Sequence, residues 1–254
     1  MSFLRTRPWL ATLALTAAGL VTAASAFAAP PTIASADALA LIEADPAFGY
    51  VNAQAKHLQS VLSAIGSDQS LGQQQQQQAQ AHFQQELAQV QQSLWHDIDY
   101  AAAQVAQAEK FDIVAVRQSL YYSDHDPVDL TQKIADYLKK EYGDQKDPQP
   151  LHPDALPAAG GGTLDGVAMV SINDAIMSDP LAQKLQSDLM GSDQDAQQKA
   201  VQKLRDRFNQ ALQSVAKAQK LHAVVEQQLG ILYAGGDTQG DVTPDVQKAL
   251  LAMK

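Results

Sequence analysis

The sequence predicts an α+β protein built from two tandem units, each a helical hairpin standing on a small β-sheet body. Three observations predict it. Long stretches carry apolar residues every three or four positions, and each stretch is followed by short runs of β-branched and aromatic residues. The same order of elements occurs twice, on either side of a segment rich in Pro and Gly. Aromatic residues make up only 6% of the 254 residues, which favours helices with narrow apolar seams over one large core.

The N-terminus has the form of a secretory signal peptide, residues 1–28. Arg5 and Arg7 precede an uncharged apolar run, Leu10–Ala24, and "ASAFAAP" then offers small residues for cleavage after Ala26 or Ala28. The apolar run is too short to span a membrane, and no later stretch is long enough. The expected location is therefore the periplasm of a bacterium with two membranes. No Cys is present, so disulfides and thiolate chemistry are excluded.

The first unit is expected over residues 29–142, with a long arm at about 47–109. "ADALALIEADPAFGY" breaks at Asp45-Pro46, where Asp can cap and Pro fits the first helical position. Val51, Ala55, Leu58, Leu62 and Ile65 then form one amphipathic seam, ended by "GSDQSLG". The tract "GQQQQQQAQ" that follows belongs to the next helix, because Gln is a fair helix former and the seam continues beyond it. Phe83, Leu87, Val90, Leu94, Ile98, Ala101, Val105 and Ala108 recur at near-heptad spacing with no Pro or Gly between them. Gln73 to Glu109 would extend roughly 55 Å as a helix. "DIVAV" and "SLYY" read as two strands separated by a turn. Thr131 can cap a short helix whose apolar side is Ile134, Tyr137 and Leu138.

Residues 143–163, "GDQKDPQPLHPDALPAAGGGT", read as a linker. The second unit, 164–254, repeats the order. A strand leads to a helix start at Asp179-Pro180, and Val201, Leu204, Phe208, Leu212 and Val215 form the second seam. The segment from Lys220 onward then matches the end of the first unit. Tyr233 matches Tyr122, Asp241 and Thr243 match Asp129 and Thr131, and Val246 and Leu250 match Ile134 and Leu138, at an offset of 111 or 112 residues.

Charge limits the partners. Loss of the signal peptide takes the net charge from −10 to −12, which argues against nucleic acid and anionic lipid. Between Leu71 and Glu109 there are four acids and no Lys or Arg. Enzyme signatures are missing: no Gly-x-Ser-x-Gly, no phosphate loop and no His-Glu-x-x-His occurs, and the "GGG" of the linker lacks a following Lys-Ser/Thr. Asp124, His125, Asp126 and Asp129 in "SDHDPVD" could suggest a metal site, but a polar turn before a capped helix is the better reading. No catalytic residue, metal or other cofactor is expected.

This order of elements resembles the Skp/OmpH family of periplasmic chaperones. The resemblance rests on "INDAIMSDPLAQKLQ", "ILYAGGDTQGDVTPDVQKALL" and the degenerate copy "LYYSDHDPVDLTQKIADYL", and it covers both halves of the mature chain. It implies a small β body with long helical arms that hold unfolded outer-membrane proteins without ATP. Tyr122, Asp129, Thr131, Tyr233, Asp241 and Thr243 would then build the bodies. Phe83, Leu87, Val90, Leu94, Trp95, Ile98, Leu204, Phe208 and Leu212 would line the arms, where clients or a partner could touch them. Trp95 is read first as a seam residue packing its own hairpin. The chain departs from the family pattern in three ways: it has two units rather than one, it is acidic where the best-known members are basic, and its second arm is short. Self-association is a further expectation. The rival expectation is an acidic coiled-coil adaptor of the envelope that binds one folded partner.

Overall fold

The computed structural model describes residues 30–67, 73–143, 162–188, 194–227 and 230–253. The expected signal peptide and nearly all of the expected linker lie outside the described residues.

The chain is α+β, as its sequence indicates. The first unit runs β1 (Ile33–Ala36), α1 (Ala38–Ala44), α2 (Ala47–Ser67), α3 (Gln73–Glu109), β2 (Ile113–Val116), β3 (Leu120–Ser123), β4 (Val128–Asp129) and α4 (Thr131–Tyr142). The second runs β5 (Thr163–Leu164), β6 (Val167–Val170), α5 (Ile172–Met177), α6 (Pro180–Asp188), α7 (Gln194–Gln219), β7 (Ala223–Glu226), β8 (Ile231–Ala234), β9 (Asp237–Thr238) and α8 (Thr243–Ala252). The glutamine tract is the first part of α3. β1, α1, α5 and the short pair β5 and β9 were not anticipated.

The two halves share an order of elements, apart from the short β5 that opens the second. α3 and α7 both end in a lysine with left-handed backbone, Lys110 (φ 63) and Lys220 (φ 56). In both, the next residue bonds back into the last turn, Phe111 to Ala106 at 2.9 Å and Leu221 to Ala216 at 2.8 Å, which is a Schellman closure. Counting back from these lysines aligns Ile98, Ala101, Ala102, Val105 and Ala106 of α3 with Phe208, Ala211, Leu212, Val215 and Ala216 of α7, and every one of them is buried. The strands align Ile113 with Ala223, a shorter offset than the 111 or 112 residues that holds for the Tyr and Asp-x-Thr segments.

The sheets are shared between the units. One sheet has the order β4-β1-β2-β8 and another the order β3-β7-β6. β1 runs parallel to β2, and β6 runs parallel to β7, within their own units. β8 of the second unit pairs antiparallel with β2 of the first, and β3 of the first pairs antiparallel with β7 of the second. The runs "DIVAV" and "SLYY" are strands, as expected, but they lie in different sheets. The turn Arg117–Ser119 between them carries the chain across.

The cores follow this exchange. The first contains Ala34, Leu41, Ile98, Val114, Ile134 and Leu138, and it is completed by Leu232 and Tyr233 from the second unit. The second contains Val170, Phe208, Leu212, Val224, Val246 and Leu250, and it is completed by Tyr121 and Tyr122 from the first. A third cluster joins Ile113 to Val167 and Ala223, all fully buried. Burying one such side chain contributes about 1.5–3 kcal/mol, so each half owes part of its stability to the other.

Candidate functional site

The Asp-x-Thr segments act as matched clasps. The Asp129 carboxylate accepts from the Thr131 amide at 3.0 Å and from its hydroxyl at 2.6 Å. The Thr131 oxygen in turn accepts from the amide of Asp37 at 2.9 Å, tying the start of α4 to the β1–α1 turn. Asp241 and Thr243 repeat this at 2.8 and 2.5 Å, and the Thr243 oxygen accepts from the Ser171 amide at 2.8 Å. Thr131 was expected to cap α4. Instead Leu130 holds the N-cap position without a side-chain bond, Asp129 before it accepts from the first helical amide, and Thr131, the first helical residue, holds the neighbouring turn. These bonds hold the Asp129 carboxyl below the usual carboxylate range, its Thr131 hydroxyl partner first and Arg117 adding to it.

Asp124 and His125 hold no metal site with Asp126 and Asp129: among the described residues no group of three or more His, Cys, Asp or Glu is placed to take an ion. The Asp124 carboxylate instead bridges His125 and His222, each at 2.6 Å. Burial pushes this carboxyl up, but the bonds from His222 and His125 outweigh that and hold it below its ordinary value. The contact crosses between units. His222 also lies against Gly166 (φ +82), where a Cβ would collide with the imidazole.

The seam residues split into two groups. Leu94, Ile98, Phe208 and Leu212 are buried in the bodies and cannot meet a client, which corrects their assignment as arm contacts. The last turns of α3 and α7 are roofed by α4 and α8 and by the exchanged strands, so the seam there is core. Trp95 is half-buried against the first core, in agreement with a seam role. The side chains of Leu87 and Val90 lie outside the described residues. Phe83 and Leu204 are half-buried.

Farther along the first arm the seam lacks a roof. α2 packs against α3. Yet Val51, Leu58, Leu62 and Ile65 on α2 are all partly exposed, and Val61 is 41% exposed. From Phe48 to Ile65, and among the described side chains from Gln74 to Ser93, none is buried. A groove of about 630 Å³ lies between β3, α5 and α7, with Tyr121, Ile172, Ile176, Val201, Leu204 and Phe208 on its apolar side and Gln118, Arg205 and Asn209 on its polar side. Tyr121 meets Phe208 edge to face at 5.9 Å. Burial, aided by Glu226, pushes the Tyr121 phenol up to about 12, so it remains a neutral donor in the groove.

Sequence reasoning missed the ion pair at the base of the second arm. Asp179, 2% exposed, accepts from the Arg207 guanidinium at 3.1 and 3.3 Å, and Arg207 also donates to the carbonyls of Leu250 and Met253 at 3.2 and 3.3 Å. One guanidinium thus ties the α5–α6 junction and α7 to the end of α8. Arg207 precedes Phe208 of the seam by one position, and nothing in the local sequence marks its partner.

No family model, no curated protein and no solved structure matches this chain. Among the described residues, no helix is long and apolar enough to cross a membrane.

Proposed function

We propose that the chain is an ATP-independent holdase that binds unfolded exported proteins, outer-membrane proteins among them, in the periplasm. The observation that carries this reading is the first arm, a two-helix hairpin whose described seam side chains beyond the body, Val51, Leu58, Leu62, Ile65 and Phe83, are all partly exposed. A seam that is neither roofed nor tightly closed offers many weak apolar contacts without a fixed geometry, which suits broad client choice. The groove beside Tyr121 adds a second apolar surface at the foot of the other arm. The resemblance of the element order and of both Asp-x-Thr clasps to the Skp/OmpH pattern supports the same reading. No step of bond making or breaking is required of it.

The rival is an adaptor for one folded partner, favoured by the first arm's charge, since α3 carries acids and no Lys or Arg. Light scattering separates the two. A urea-unfolded outer-membrane β-barrel protein is diluted into buffer with and without residues 29–254, at low and moderate salt. Suppression at near-stoichiometric protein is expected, improving with salt as screening removes repulsion from the acidic arm. Unchanged scattering at excess protein in both salts overturns the holdase reading and favours the adaptor.

A further inference from the structure

The two arm bases are built alike except for one charge. Asp45 and Asp179 both precede proline at the turn into an arm, and each accepts from an amide two residues on, Ala47 at 2.8 Å and Leu181 at 3.0 Å. Arg207 grips Asp179 from one position before the buried Phe208. In the first unit the matching position, one before the buried Ile98, is Asp97. Asp45 is 3% exposed and Asp97 0%. The second oxygen of Asp45, whose counterpart on Asp179 takes the arginine, is buried without a hydrogen-bond partner. A carboxyl pair thus stands where the sister unit has a bidentate ion pair.

We infer that Asp45 and Asp97 form a proton-operated hinge at the base of the first arm, closed when Asp45 carries a proton and loosened when both carboxyls are ionised. This goes beyond the holdase reading and does not depend on it. Two buried carboxylates in one site repel, and neither is easily solvated, so a proton relieves both costs. Besides Asp97, the described titratable and charged side chains on the packed elements are Glu43 on α1; Tyr50, Lys56 and His57 on α2; His82, Glu86, His96, Asp99, Tyr100 and Glu109 on α3; and Lys133, Asp136, Tyr137, Lys139, Lys140 and Glu141 on α4. The His96 Nδ1 lies 4.0 Å from an Asp97 oxygen. The charge that acts on Asp45 is Asp97. Burial first and Asp97 second push the Asp45 carboxyl up to about 6, against the single bond from Ala47.

The sign follows from that direction. A carboxyl raised from 3.8 to about 6 binds its proton more tightly in the folded arm base than in an opened one. Closure is therefore fully favoured below pH 3.8, weakens as pH rises, and has lost this contribution above about 6. The shift bounds the change in closing equilibrium at roughly a hundredfold. Asp99 on the same helix is also raised, to about 7 by burial, and needs its own control.

Hydrogen exchange of the full mature chain at pH 5 and pH 8, corrected for intrinsic rates, tests the hinge. Peptides spanning 41–60 and 91–105 should lose roughly tenfold or more protection at pH 8, while those spanning 176–188 and 204–215 hold. The difference should survive in Asp99→Asn and vanish in Asp45→Asn. Asp97→Arg should also remove it by giving Asp45 the partner Asp179 has. Equal protection at both pH values in the wild type, or a difference that persists in Asp45→Asn, overturns the inference. Should the variants fail to fold, a carboxyl-carbon NMR titration of wild-type Asp45 decides: a midpoint near 6 supports the hinge, and one below 4 overturns it.

Discussion

The first arm base buries Asp45 and Asp97 where the second pairs Asp179 with Arg207, on helices whose buried faces align at five positions, Ile98, Ala101, Ala102, Val105 and Ala106 with Phe208, Ala211, Leu212, Val215 and Ala216. The contrast extends outward. α3 carries four acids and no Lys or Arg, whereas α7 carries five basic residues and two acids. α3 has 37 residues and α7 has 26. One arm is long, acidic and joined to its body without an arginine at its base. The other is short, basic and riveted by an arginine that also bonds the end of α8. The bodies are alike, each with its own clasp and each receiving one strand from the other half, while the arms differ in length and charge.

The largest effect should come from dividing the chain. Residues 30–143 alone lack β8 with Leu232 and Tyr233, and residues 162–253 alone lack β3 with Tyr121 and Tyr122. Neither half should unfold cooperatively by circular dichroism, and an equimolar mixture should restore a single transition. A cooperative melt from either half alone would break the idea of shared cores.

The next largest should be Arg207→Met, which leaves Asp179 buried without its cation and should cost about 3–5 kcal/mol in urea unfolding. Asp97→Asn at the matching site removes a like charge rather than a counter-ion and should cost less than Arg207→Met at pH 8. The double variant Tyr122→Ala/Tyr233→Ala should lose about 2–4 kcal/mol, because each half-buried ring completes the other unit's core. If it melts like wild type, the exchanged tyrosines are not structural. Asp129→Ala and Asp241→Ala should each cost about 1 kcal/mol, the second more because Thr243 is 5% exposed while Thr131 is only half-buried. The smallest effect should be acid loss of the His222–Asp124–His125 bridge. The Asp124 carboxyl is depressed, so its contribution is present above pH 3.8 and lost as pH falls below it, by less than about 1 kcal/mol at this exposure. Asp124→Asn should flatten that limb of the stability profile.

The long seams, the Asp-Pro turns and the Asp-x-Thr segments were legible because their information is local: spacing, caps and a repeated motif. α2 and α3 begin and end almost where the seam and the glutamine tract indicate. β1 and α1 were not legible, since "IASADALALIEA" is alanine-rich and too short for either periodicity to stand out. The exchange of β3 and β8 was invisible for another reason. A strand's own residues do not name its neighbour, and two adjacent strands joined by a three-residue turn look like a hairpin. The arm bases needed the repeat to be aligned through the helices. There the sequence shares only its apolar rhythm, so Asp97 and Arg207 could not be seen as counterparts.

The exchange of strands also sets a schedule for biosynthesis. When β2 has just been synthesised, the strand that will pair with its free side, residues 231–234, has not yet been made. The first half therefore waits with one open sheet edge until nearly the whole chain has emerged. Any other copy waiting alongside offers the identical missing strand, with identical register and affinity. The number of chains emerging together, more than the stability of the finished protein, then decides whether each closes on itself or on its neighbour.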